Sequence, residues 1–224
     1  MYTPPMFKPD RAASLAFAEA RGFGTMCAWN GKRPVASSLP FYLGYAEDGT
    51  PLARFHVARH NPLVKLADAV TPWVLAVNGA DAYVSPDWYV SADQVPTWLY
   101  QAVHLTGPVR TLSDDELAVQ IDTLSEKFEN RLAPKKPWTS AKMTAARLEA
   151  LKKGIVGLSM RIEDVEGSFK LNQQKSEADY AGAANGLAAL PDADSQSIAQ
   201  LMRETRPQAF AATPNQTASL EGSM

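Results

Sequence analysis

The chain has 224 residues, 46% hydrophobic and 21% charged, with a net charge of −2, the composition of a globular protein long enough for one large domain or a domain with an appendage. So even a balance gives no electrostatic basis for non-specific DNA binding, which needs a clear basic excess on a face or tail. A single cysteine, Cys27, excludes a disulfide framework, and neither a signal-peptide core nor an apolar run of about 20 residues occurs, so a cytoplasmic protein is expected.

Asp10 predicts the cap of a helix over RAASLAFAEAR, which Gly22 would end. Short strands follow. FGTMCAW leads into Asn30-Gly31, a hairpin signal, then PVASSLPFYLGY, a second turn at Asp48-Gly49, and PLARFHVA. Asn61 and Pro62 predict a helix over NPLVKLADAV. TPWVLAVNG, DAYVS and TWLYQAVHLTG read as three more strands, rich in valine and aromatics. Ser113 to Glu116 form a capping box, opening a helix with Leu117, Ile121, Leu124 and Phe128 at helical spacing. A linker at 133–138 and a second helix over 140–153 precede one alternating strand, GIVGLSMRIEDVEG. Ser176 and Asp179 mark a further helix start, and SQSIAQLMRET suits a short last helix. The class this predicts is α+β: an antiparallel barrel with flanking helices.

The stretch FHVARHNPLVK holds two of the three histidines. His56 and His60 are four apart, as in helical zinc motifs, but Asn61-Pro62 starts the helix after both, so they share no helical face. A metal site is therefore not expected. Alternation in LARFHVA puts Leu52, Arg54 and His56 on one face and Ala53, Phe55 and Val57 on the other. A strand feeding a helix start through Arg59, His60 and Asn61 could cradle an anion, with Lys65 one turn in. A capped helix with solvated basic side chains is the simpler account of the same residues. His56 with Asp81 or Asp87 lacks a neighbouring nucleophile, and Ser37 and Ser38 lack a nucleophile-elbow pattern. No helix-turn-helix with a basic recognition helix is evident. Trp98 and Tyr100, two apart on a strand, suit a wall for a planar ring or a dimer interface.

Taken in order, Tyr2-Thr3-Pro4 with Phe7, HVARHNP (56–62), AYVSPDWY (82–89), VPTWLYQAVHLTG (95–107) and IVGLSMRIEDVEGSFKLNQQKSEADYAG (155–182) resemble the motif series of the PaiB-like proteins. That family is described as FMN-binding negative transcriptional regulators with the FMN-binding split barrel, as in pyridoxamine phosphate oxidases and flavin reductases, dimeric with flavin at the interface. The resemblance implies an FMN phosphate held by His56, Val57, Arg59 and Asn61, with Ser37 and Ser38 on the preceding strand. It also implies Trp98, Lys170 and Gln173 near the flavin ring; Lys65 is added on charge alone. Ser38, Phe55 and Leu99 stand where the family often has histidine, glycine and asparagine, and FKLNQQ replaces the commoner FKLSQN at Asn172 and Gln174. The domain expected on this basis covers 1–182, with a helical insertion at 112–153, a helical extension at 183–205 and a disordered tail at 206–224. The implied function is a regulatory FMN-binding homodimer, acting indirectly through a protein or DNA regulatory partner and not at a membrane. The alternatives are an NAD(P)H-linked flavin oxidoreductase, a haem protein using His56, His60 or His104, and a module that has lost its cofactor.

Overall fold

A computed structural model describes residues 1–211. Helix α1 (Arg11–Arg21) starts where expected, with the Asp10 carboxylate accepting from Ala13 N at 2.7 Å. Gly22 ends it at φ 61°, a left-handed cap that glycine adopts without Cβ strain. Strands β1 (Phe23–Trp29) and β2 (Pro34–Pro40) form the hairpin, closed by Asn30 Oδ1, which accepts from Lys32 N and Arg33 N at 3.0 Å each. The run PVASSLPFYLGY breaks at Phe41, giving β3 (Tyr42–Tyr45) as a separate strand paired with β4 (Pro51–Ala58).

TPWVLAVNG and DAYVS, expected as two strands, are one: β5 (Pro72–Val84). Asn78-Gly79 does not turn, because Gly79 is pressed against the Phe17 ring, 3.1 Å from where a Cβ would sit. Strand β6 (Thr97–Thr111) follows. Helix α2 (Asp114–Glu129) opens with the full capping box between Ser113 and Glu116. The second insertion helix is shorter than expected: a 3-10 turn at Ser140–Lys142, then α3 (Ala145–Lys152), restarted by the Thr144 cap. The single strand expected over 154–167 is two, β7 (Ile155–Arg161) and β8 (Asp164–Lys170). They part at Ile162 and Glu163, which lie outside both strands although their N–H groups bond Pro51 O and Thr106 O, in register with the pairings of β7 to β4 and β6. Helices α4 (Glu177–Ala188) and α5 (Ala193–Thr205) complete the elements. The sheet order is β2-β1-β5-β6-β7-β4-β3, with β8 on β6.

The chain packs as two compact units. The first, Met1–Gly79 with Gln101–Phe169, surrounds a barrel core of Met26, Phe41, Phe55, Trp73, Leu75, Leu105, Leu158 and Met160, each at most 2% exposed. The second, Ala80–Tyr100 with the chain from Lys170, has its own core of Val84, Leu99, Tyr180, Ala183, Leu187 and Met202. Burial on this scale stabilises each large side chain by about 1.5–3 kcal/mol. Of the tail expected from 206, a 3-10 turn at Pro207–Phe210 sets Phe210 edge-on to Tyr180; residues 212–224 lie outside the described residues. Among the described residues, no helix is long and apolar enough to cross a membrane.

Candidate functional site

The exit of β4 gathers most of the residues singled out in the sequence. Ala53, Phe55 and Val57 point into the barrel core, so Val57 offers a ligand only its backbone. His56 lies on the other face, opposite Gly157 of β7. Burial holds the imidazole below its ordinary pKa, so it is neutral at pH 7, and its Nδ1 has no partner among the described residues.

Beyond the strand, Arg59 turns back on the start of β7. Its N–H donates to Gly154 O, its Nε to Lys153 O and its Nη2 to Ile155 O. Two of the five guanidinium protons are thus committed to backbone, and the Nη1 donors remain for a ligand. Asn61 Oδ1 accepts from Leu63 N at 3.0 Å, while its Nδ2 donates to Ser37 Oγ at 2.9 Å. Because that oxygen accepts from Asn61, the Ser37 hydroxyl proton is free to point elsewhere. Ser38, one residue on, faces the opposite side of the sheet, exposed and 3.3 Å from Thr25 Oγ1. The two serines therefore do not converge.

The helix expected over NPLVKLADAV is only a 3-10 segment, Pro62–Leu66. Asp68 ends it: its carboxylate accepts from Val70 N, Thr71 N and Thr71 Oγ1, a local turn that competes with helix. The Thr71 hydroxyl and the two N–H groups hold that carboxyl at about 2. So short a segment has no developed dipole, and any anion there would depend on side-chain donors. Lys65 is one: exposed, with no ion pair among the described residues.

Trp98, Lys170 and Gln173 belong to the second unit. Trp98 is 54% exposed and stands edge-on to Tyr83, ring centres 6.0 Å apart. Lys170 Nζ donates to Thr97 Oγ1 at 2.6 Å, and Gln173 Oε1 accepts from Leu171 N at 2.8 Å. Among the described residues, no cluster of three His, Cys, Asp or Glu could hold a metal.

Sequence reasoning passed over Tyr42, Gln120 and Ser159, and used Arg54 only to mark a strand face. All four carry polar groups on or against the outer face of β4 and its neighbours. Gln120 had a signal in the sequence, since it interrupts the apolar stripe that Leu117 and Leu124 define on α2.

Residues 1–164 match the family model described as "Putative FMN-binding domain". The chain is 32% identical over 205 residues to the Protease synthase and sporulation protein PAI 2 of Bacillus subtilis, covering 91% of this chain and 97% of that one. An uncharacterized protein of Emericella nidulans is 29% identical over 203 residues, 75% of this chain and 81% of its own. Among solved structures, the FAD and heme binding protein of Mycobacterium smegmatis superposes with a TM-score of 0.52 at 16% identity, covering 72% of this chain and 71% of that one. A conserved hypothetical protein of Mycobacterium tuberculosis gives 0.53 at 9% identity, over 75% and 90%. At these identities the structural matches establish the split-barrel fold alone.

Proposed function

Since the chain belongs to the FMN-binding domain family, we propose that it binds FMN through the β4 exit and works as a homodimer with a regulatory role. The supporting observation is the set of uncommitted donors there, Arg59 Nη1, the Ser37 hydroxyl and exposed Lys65, beside the partnerless buried Nδ1 of His56, which donates in its Nδ1–H tautomer. These fit a phosphate monoester, which presents acceptors only. Asn61 holds Ser37 in place and caps the segment carrying Lys65, so it acts through them. On motif position alone, we extend the proposal to Ser38, to the Val57 backbone, and to Trp98, Lys170 and Gln173 as flavin contacts. Bound FMN would supply redox chemistry at its ring; this chain's residues would bind it and exclude water.

The test is a fluorescence-quenching titration with FMN on the parent, Arg59→Ala and Lys65→Ala. We expect saturable binding, weakened roughly 10- to 100-fold in Arg59→Ala, the scale of one lost charge-assisted hydrogen bond. Arg59 also clamps β7, so thermal melts must accompany the titration. Lys65→Ala, which breaks no hydrogen bond or ion pair among the described residues, is the cleaner probe. Equal affinity in all three proteins would sink the cradle.

The homodimer reading draws on the outer face of β1 and its neighbours. Phe23 and Trp29 are 50% and 57% exposed there, on the same face as Thr25 and Cys27, which stand opposite Ala76 and Val74 of β5. Light scattering should find a dimer in the parent and a monomer in Trp29→Glu; a monomeric parent would refute it. Regulation through a partner is favoured by the near-neutral charge, and a cytoplasmic setting by the lone cysteine. Salt-sensitive operator binding by the purified protein alone would refute that indirect role.

A further inference from the structure

The face of β4 turned away from the barrel core carries polar groups that the FMN cradle leaves unused, apart from His56. Register aligns Tyr42 of β3, Arg54 of β4, Ser159 of β7 and Arg110 of β6 in one row, with His56 and Gly157 in the next. Residues directly opposed in a ladder share a face, with Cα atoms about 4.5–5.5 Å apart. Helix α2 lies against this face: Leu117 Cδ1 and Gln120 Oε1 come within 3.1 and 3.2 Å of where a Gly157 Cβ would be. The groups therefore come from β3, β4 and α2 and belong to one face of the sheet.

Their hydrogen bonding is incomplete. Tyr42 Oη, Arg54 Nε, His56 Nδ1 and both amide atoms of Gln120 are buried with no partner among the described residues. Gln120 is 0% exposed and Tyr42 6%. Buried polar groups in folded proteins nearly always have partners, so five such atoms together call for an occupant. Charge says which kind. Arg110 is paired with Glu116, and Arg161 with Asp48, but no carboxylate is bonded to Arg54 among the described residues. The row thus holds one uncompensated guanidinium and hydrogen-bond donors from a phenol and an amide. A cavity of about 310 Å³, lined by Leu52, Arg110, Ser159 and Arg161 among others, opens on the same row at Ser159, the ladder partner of Arg54.

We propose that this row is an oxyanion site, in which Arg54, Tyr42 and Gln120 hold a phosphate or carboxylate group between α2 and the β3–β4–β7 face. The planar guanidinium matches the oxygens of such a group, and the Gln120 amide and Tyr42 hydroxyl supply further donors. Glycine at 157 lets α2 sit close enough for Gln120 to reach the strands. Apart from His56, which the cradle also uses, the site stands on atoms of Arg54, Tyr42 and Gln120 that are separate from Arg59, Ser37 and Lys65, so it holds whether or not FMN binds at the β4 exit.

Thermal melts and calorimetry with inorganic phosphate, against chloride at equal ionic strength, test it on the parent, Arg54→Met and Gln120→Leu. The parent should show saturable binding and a melting temperature raised by roughly 5–10 °C at a hundredfold excess over Kd. Both variants should lose the phosphate response. Gln120→Leu should melt higher than the parent without phosphate, having lost its unpaired amide, so the test survives if Arg54→Met fails to fold. Competition of phosphate with FMN, but not with riboflavin, would assign the oxyanion to the flavin phosphate; phosphate binding without competition would assign a separate small anion. A parent with no phosphate response, or a response that persists in both variants, overturns the site.

Discussion

Gly107→Ala should lower the melting temperature by roughly 10 °C or leave the protein insoluble. A Cβ at this position would lie 1.7 Å from Arg161 O and 2.9 Å from its carbonyl carbon. Both obstacles are backbone, so no rotamer change relieves them. Arg161 ends β7 just before the bend in which Glu163 N bonds Thr106 O at 2.9 Å, next to Gly107 in β6. Moving Arg161 O aside therefore strains the corner from β7 into β8, and with it Met160 and Ile162 of the core. Overpacking of this kind costs about 3 kcal/mol or more. A melt within about 2 °C of the parent would show that the corner is more plastic than its packing implies.

The second large effect is expected in the other unit, at Asp179. Its carboxylate accepts from Val90 N and Ser91 N at 2.8 Å each and from Ser91 Oγ at 2.8 Å, tying the 90–91 loop to the first turn of α4. The residue is 3% exposed, so these donors would lose their partner with little compensation from water. The backbone and hydroxyl bonds from Ser91 hold its carboxyl near 2, against an ordinary 3.8. A depressed folded pKa means that the tether is fully present above about pH 4 and fades as pH falls from 3.8 toward 2. Asp179→Ala should raise amide exchange at Val90 and Ser91 by on the order of 100-fold at pH 7 and remove this acid dependence. Asp179→Asn should raise exchange far less, because its Oδ1 can still accept from both N–H groups while its Nδ2 donates to the Ser91 hydroxyl oxygen. Unchanged exchange in Asp179→Ala would mean that the loop is held instead by the packing of Trp88 against Gly182 and Gly186 of α4.

The carboxylate at Asp179 illustrates what local sequence signals carry. Ser176 and Asp179 were legible as a helix start, as were Asp10, the Ser113–Glu116 box and the Asn30-Gly31 hairpin, and each forms as read. Alternation in LARFHVA correctly separated Phe55 from His56 and Arg54, since the two-residue period of a strand is written directly in the chain. The motif series carried the family and the barrel. Legibility failed where distant segments decide. Asn61-Pro62 announces a helix, but Asp68 draws the following N–H groups into a turn and stops it after five residues. Arg59 reads as a free basic side chain, yet two of its five guanidinium donors are taken by carbonyls 94 and 96 residues away. Gln120 reads as a flaw in an apolar stripe, and only the docking of α2 on Gly157 places it over the Arg54 row. Caps, turns and strand faces depend on groups within a few residues, so the sequence by itself determined them. Which polar groups end up paired, and which are left facing one another, depends on strand register and helix docking, and only the tertiary structure decided that.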